Sequence, residues 1–241
     1  MTNNVLLNNV DHQHLRVDTR HGAAYGDAIN QVLIFPTEYE DVQREYPIFF
    51  RRDEAGDFQS IALLGLDKDE NLFLGEDGSW QAGYVPAMQR RGPFSIALQE
   101  RQGETAPRPM IHVDLDHPRI CSDEGEPLFL PHGGNAPYLA HVTEVLRSIY
   151  TGIEVGRPMF AAFAELGLIR PVAVEARLSD DELFVLPDFH TIDEARLAAL
   201  DGASLARLHE GGFLRAAFLA AASLGNMSRL IALKNRRRAA A

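Results

Sequence analysis

The feature that most constrains this chain is the spacing of short apolar segments in its first half. Residues 31–36, 47–51, 58–66 and 72–74 are rich in Ile, Leu, Phe and Val, side chains that suit a pleated surface. Two polar turns separate the last three: Asp53-Glu54-Ala55-Gly56-Asp57 and Asp67-Lys68-Asp69-Glu70-Asn71. A parallel crossover needs about a dozen residues or more. Connections this short therefore predict antiparallel neighbours. Residues 94–99 and 110–115 read as two further strands joined by a Gly/Pro-rich loop at 103–109, and 128–130 reads as a short edge segment. Thr37 with Glu40 has capping-box spacing, and 80–87 is expected to open a short helix.

The period then changes. Asn135 stands where an N-cap is wanted, with Pro137 in the first turn. Leu139, Val142, Val145, Leu146 and Ile149 follow at helical spacing. Gly152 and Gly156-Arg157-Pro158 predict a break, with a second helix over 159–166 ended by Gly167. Residues 172–176 and 183–186 read as two strands. Thr191 and Glu194 open a helix carrying Leu197, Leu200, Leu205 and Leu208. A last helix covers 212–234, and Arg229, Lys234, Arg236, Arg237 and Arg238 complement its dipole. The expected fold class is α+β, with a mainly antiparallel sheet in the N-terminal half and a helix-rich C-terminal half packed on it. Neither a repeat nor a linker is visible. The expected organisation is an N-terminal arm over 1–30, one domain over 31–235 with a point of subdivision near 133, and a basic tail over 236–241. Histidines 12, 14 and 21 in the arm read as solvated.

At 241 residues and 46% hydrophobic, the chain has enough apolar material to build a core without staples. Its one cysteine, Cys121, cannot close an intramolecular disulfide. The net charge of −11 repels phosphate backbones and anionic lipid, so nucleic acid is not an expected partner. The most apolar stretches, 158–169 and 213–227, contain Glu165 and Arg215. Each falls short of the roughly 18 to 20 uninterrupted apolar residues of a spanning helix, so no membrane span is expected. Residues 1–10 have neither a basic start nor a long apolar run, and a cytoplasmic address is the default expectation.

Two clusters have chemistry in them. His112 and Asp114 alternate on a strand and so share a face. With His190 they would supply the ligands of a non-haem Fe(II) oxygenase, and Arg196 could pair a substrate carboxylate. The competing reading is an ordinary strand held by Val113 and Leu115. The second cluster joins Trp80, Tyr84, Arg90, Arg91 and Phe94. Arginine beside aromatics suits an anion- or peptide-binding pocket, through stacking and bidentate hydrogen bonds. Its competing reading is a rigid loop whose rings plug the core. His132-Gly133-Gly134-Asn135 reads as a turn and cap, because no Gly-Lys-Ser/Thr follows. Asp123 and Glu124 beside Cys121 disfavour a thiolate. Neither a nucleophile elbow, a His-Glu-x-x-His nor a dinucleotide fingerprint is present.

A series of motifs runs through Tyr46-Pro47-Ile48-Phe49-Phe50, Leu63-Leu64-Gly65-Leu66, Asn71-Leu72-Phe73, Gly78-Ser79-Trp80 and Tyr84-Val85-Pro86-Ala87. It continues through Arg90-Arg91-Gly92-Pro93-Phe94, Val113-Asp114-Leu115-Asp116 and Gly125-Glu126-Pro127-Leu128-Phe129. In these motifs the chain resembles the SapC family, and the likeness is specific when they are taken together. It extends over about residues 30–232, and His112 and His190 fall outside the motifs that carry it. The resemblance implies an association with bacterial surface-protein, secretion or peptide-modification systems, including flavin-dependent halogenase-like proteins. The aromatic-arginine cluster, with no catalytic set beside it, leads to the expectation of a non-enzymatic binding or accessory protein without a cofactor. It would recognise a peptide or protein partner through Trp80, Tyr84, Arg90, Arg91 and Phe94. The alternatives are the His112/Asp114/His190 oxygenase and a structural subunit of a larger assembly.

Overall fold

Every strand ladder in the computed structural model is antiparallel, as the short connections require. The structure describes residues 3–99, 108–179 and 182–240. The loop expected at 103–109 lies outside them as far as residue 107. The strands are β1 (Asn4–Leu6), β2 (Arg16–Val17), β3 (Gln31–Ile34), β4 (Ile48–Arg52), β5 (Phe58–Leu63), β6 (Phe94–Gln99), β7 (Arg108–Asp114), β8 (Ile120–Cys121), β9 (Glu126–Pro127), β10 (Ile169–Ser179) and β11 (Glu182–Ile192). The helices are α1 (Tyr39–Val42), α2 (Ala87–Arg90), α3 (Pro137–Glu165), α4 (Glu194–Ala198), α5 (Gly202–Glu210), α6 (Phe213–Ser223) and α7 (Met227–Ala240). The fold is α+β, with helices concentrated in the second half.

Two units divide the chain. The first comprises Met1–Asp27, Gly75–Trp80 and Ala87–Tyr150. It holds two small sheets, ordered β1-β7-β6 and β8-β2-β9. Its core gathers Val17, Phe94, Val113, Leu128, Leu139, Val142 and Leu146. Leu139, Val142 and Leu146 come from one stripe of α3, and Val113 faces both Phe94 and Val5 across the ladders. Within the stretch expected as an arm, Asn4–Leu6 and Arg16–Val17 pair into sheets, and His14 is exposed as expected of a solvated histidine. His12, read as solvated, is instead buried, its Nδ1 accepting from the Asn8 amide at 3.1 Å. Gly125 belongs to the same construction: its φ is +87°, and a Cβ there would lie 2.4 Å from the Val17 carbonyl oxygen, so only glycine allows this approach.

The second unit comprises Ala28–Leu74, Gln81–Pro86 and Thr151–Ala241. Its sheet runs β10-β11-β4-β5-β3. Phe50 on β4 packs edge-on against Phe160 at 5.1 Å and lies 6.4 Å from Phe163, which fastens the end of α3 to the sheet. The buried face of α6 is Ala216, Ala217, Ala220 and Ser223. Ser223 Oγ accepts from the Ile48 amide at 2.8 Å and donates to the Ala220 carbonyl at 2.6 Å.

Several local expectations are corrected. Gly156 and Pro158 do not end the helix: α3 runs unbroken to Glu165 with Pro158 inside it. The ring sits on the exposed side, while buried Met159, Phe160 and Phe163 hold the following turns. Leu72 and Phe73 form a turn and Leu74 only an isolated bridge, because the Asn71 side chain accepts from the Phe73 amide at 3.0 Å. The short helix expected over 80–87 begins only at Ala87. The cap expected at Thr37 falls at Phe35 instead, with Pro36 next and Glu38 accepting from the Phe35 amide at 3.0 Å. The helix expected after Thr191 starts behind Asp193 and is divided by a second cap at Asp201. One further difference concerns the C-terminal helices. The run Phe213–Ala239 is long and apolar enough to cross a bilayer by length and composition. A count of uninterrupted apolar residues stops short of it, because Ser223, Gly225 and Asn226 interrupt the run without adding charge.

Candidate functional site

In the first unit, α2 ends at Arg90 and the chain turns sharply into β6. This turn separates the two adjacent arginines. Arg91 Nη1 donates to the Phe94 carbonyl at 2.7 Å, and burial lowers the pKa of its guanidinium. Arg91 therefore braces the turn. Arg90 goes the other way and lines a pocket of about 140 Å³ with Thr19, His21, Gln89, Gly92, Arg119, Tyr138 and His141. None of these residues is a carboxylate. The lining consists mainly of hydrogen-bond donors: two guanidinium groups, an amide, two hydroxyls and two imidazoles.

Arg119 is the fixed point of this pocket. It is only 4% exposed. Its Nη2 donates to Asp27 Oδ2 at 2.7 Å, and its Nη1 donates to the carbonyls of Asp18, at 3.0 Å, and Arg20. Its guanidinium carbon lies 4.7 Å from the Tyr25 ring centre. Asp27 also accepts from the Gly22 amide at 2.9 Å, and His21 Nδ1 lies 3.4 Å from its Oδ2. These bonds fix the cation where it lines the pocket, and they use three of its five N–H groups. Tyr138 and His141 are three apart on α3 and so share a face. Burial pushes the Tyr138 phenol up to about 12, which keeps it a neutral donor at physiological pH. Gln89 Nε2 is buried and makes no hydrogen bond among the described residues.

Trp80 reaches this site through His21. The two rings meet edge-on with centroids 5.2 Å apart, and the indole is half-buried. The other expected members are placed differently. Phe94 is fully buried in the core and 6.4 Å from the Tyr138 ring, so its ring is structural. Tyr84 belongs to the second unit, where its hydroxyl donates to Glu38 Oε2 at 2.8 Å and its carbonyl accepts from the Tyr46 hydroxyl. Trp80 and Arg90 are thus brought to one unit and one site. Sequence reasoning missed Thr19, His21, Gln89, Arg119, Tyr138 and His141. The i, i+3 pair on α3 was the single local signal for any of them.

His112 and Asp114 belong to the first unit and His190 to the second. Asp114 Oδ1 accepts from the Asp116 amide at 3.2 Å, and the His190 ring packs edge-on against Phe58 at 5.0 Å. Burial, and then the Arg52 charge, lower the His190 pKa. Among the described residues no group of three or more His, Cys, Asp and Glu is arranged to hold a metal ion. Gly133 and Gly134 form an exposed turn before α3, and Cys121 Sγ donates to the Glu124 carbonyl at 2.8 Å.

Comparison with known proteins gives one match, to a family. Among curated proteins and solved structures, none matches the chain. The SapC family model matches residues 7–230, a span that includes every residue of the pocket, and the chain belongs to the SapC family.

Proposed function

We propose that this chain is a non-enzymatic binding protein that takes an anionic group of a peptide or protein partner into the Arg90–Arg119 pocket. The observation that carries this reading is the convergence of donors without a carboxylate among the lining residues. Arginine recognises carboxylate and phosphate through paired N–H groups. A volume of about 140 Å³ suits a head group of that size, since a water takes roughly 30 Å³. Trp80 beside His21 offers an apolar surface for the residue that carries the anion. The family resemblance suggests the setting, a surface-protein, secretion or peptide-modification system with a halogenase-like partner. We further propose that the chain acts in the cytoplasm without spanning a membrane. The buried alanine face of α6 and the Lys234–Glu70 ion pair of 2.7 Å on α7 support this, because both use the run that could otherwise meet lipid.

The sole tryptophan makes the test simple. An acetylated glutamate-rich peptide is titrated against Trp80 fluorescence, beside its glutamine counterpart. The acidic peptide is expected to give a saturable change that is lost in Arg90→Ala and absent for the neutral peptide. Equal responses to both peptides, or an unaltered response in Arg90→Ala, would refute the reading.

A further inference from the structure

A different observation concerns a cavity in the second unit. It measures about 570 Å³, within the roughly 300–1,000 Å³ of sites that hold small organic ligands. It opens where α3 passes the ends of β3 and β5. Gly152 and Gly156 face it from the helix, and a Cβ on Gly152 would lie 2.4 Å from Phe35 Cβ. The helix is therefore pressed against Phe35, and the space beyond is walled by Phe35, Phe58, Phe160 and Ile153. Ile153 is 53% exposed, so apolar surface continues outward along the helix.

The charged lining residues are Arg52, Arg157, Asp53 and Asp57, and they differ in how they are held. Arg52 is held in place: its guanidinium carbon lies 4.1 Å from the Phe58 ring centre, and Nη1 donates to the Gly56 carbonyl at 2.6 Å. Arg157 extends from the exposed face of α3. Of the carboxylates, Asp53 is consumed by its own turn, accepting from the amides of Ala55 and Asp57 and from Gln59 Nε2 at 2.9 to 3.0 Å. Asp57 is exposed, so the lining carries two guanidinium groups and two carboxylates, and Asp53 has its oxygens occupied by its own turn. An apolar, aromatic-walled cavity with arginines at its rim matches a molecule with a greasy body and one negative end.

We propose that this cavity binds an amphipathic monoanion, a carboxylate with a fatty-acyl or aromatic body, whose head pairs with Arg52 and Arg157. Dodecanoate and 1-naphthylacetate, titrated separately by calorimetry, distinguish the two bodies. At least one of them is expected to bind at one per chain, and its uncharged alcohol analogue about tenfold or more weaker, the loss of a charge-assisted pairing. Arg157→Ala removes an exposed side chain, and its unchanged thermal melt would show that the fold persists. It should weaken the carboxylate by a similar factor and leave the alcohol unchanged. Ala161→Phe, which fills the cavity from its exposed rim, should abolish both. Failure of both carboxylates to bind overturns the proposal, as does equal binding of acid and alcohol, or indifference to Arg157→Ala.

Discussion

At the residue scale, two side chains hold more than their neighbours. Asp27 is 2% exposed and compensates the buried guanidinium of Arg119. Removing one partner of such a pair strands the other charge and costs about 3–5 kcal/mol. Asp27→Ala should therefore lower the thermal midpoint markedly, whereas Asp11→Ala on the exposed surface should not. Gly152 makes an opposite point about propensity. Alanine is the better helix former by up to about 1 kcal/mol, yet a Cβ there would meet Phe35 Cβ at 2.4 Å and Thr37 Oγ1 at 2.8 Å. Gly152→Ala should destabilise by about 1–3 kcal/mol in urea unfolding. Sequence patterning identified this glycine only as a helix breaker. Its role depends on a residue more than a hundred positions away, and no local period encodes that. The same reason hid Arg119, whose partners are the carbonyls of Asp18 and Arg20 and the carboxylate of Asp27.

At the scale of elements, short connections made the antiparallel ladders legible, since their lengths leave no alternative. The strands β4 and β5 pair about the turn at 53–57 as expected. Helix ends were less legible, because caps compete within a few residues and packing decides among them. Phe35, Asp193 and Asp201 won over Thr37 and Thr191. The clearest override is Pro158, which lacks the N–H that would bond to residue 154 yet stays helical. Its neighbours Met159, Phe160 and Phe163 are buried, and that burial outweighs the penalty of about 3 kcal/mol for proline inside a helix. Pro158→Ala, on the exposed face, should accordingly raise the urea midpoint. A lowered midpoint would mean that the ring itself makes a needed contact.

At the scale of the molecule, ionisation sets the acid limit. His117 is pushed down by burial and then by Arg119, and His190 by burial and then by Arg52. A histidine whose folded pKa lies below its ordinary value of about 6.5 is protonated more readily in the unfolded chain. Stability is then intact above that pH and falls as pH drops through it. Hydrogen bonds from Arg20 hold the Asp18 carboxyl well below the usual range, and hydrogen bonds from Ser79 lower Asp77. These groups extend the loss further into acid. The urea midpoint should decline from pH 7 to pH 5, and the double variant His117→Gln/His190→Gln should flatten that decline. A midpoint that rises over the same range would contradict the assignment of both histidines.

The candidate site was half legible for a physical reason. Trp80 and Arg90 stand near each other in sequence, and arginine beside aromatics is a recognisable chemistry. Beyond Gln89 and Gly92 beside Arg90, the lining residues come from positions 19, 21, 119, 138 and 141, brought together by the turn after α2 and the start of α3. The anion-binding claim is tested most directly by a crystal structure of the chain with the glutamate-rich peptide. The account predicts a peptide carboxylate within about 2.7–3.2 Å of guanidinium nitrogens of both Arg90 and Arg119. A peptide bound elsewhere on the chain, with this pocket left to solvent, would contradict it.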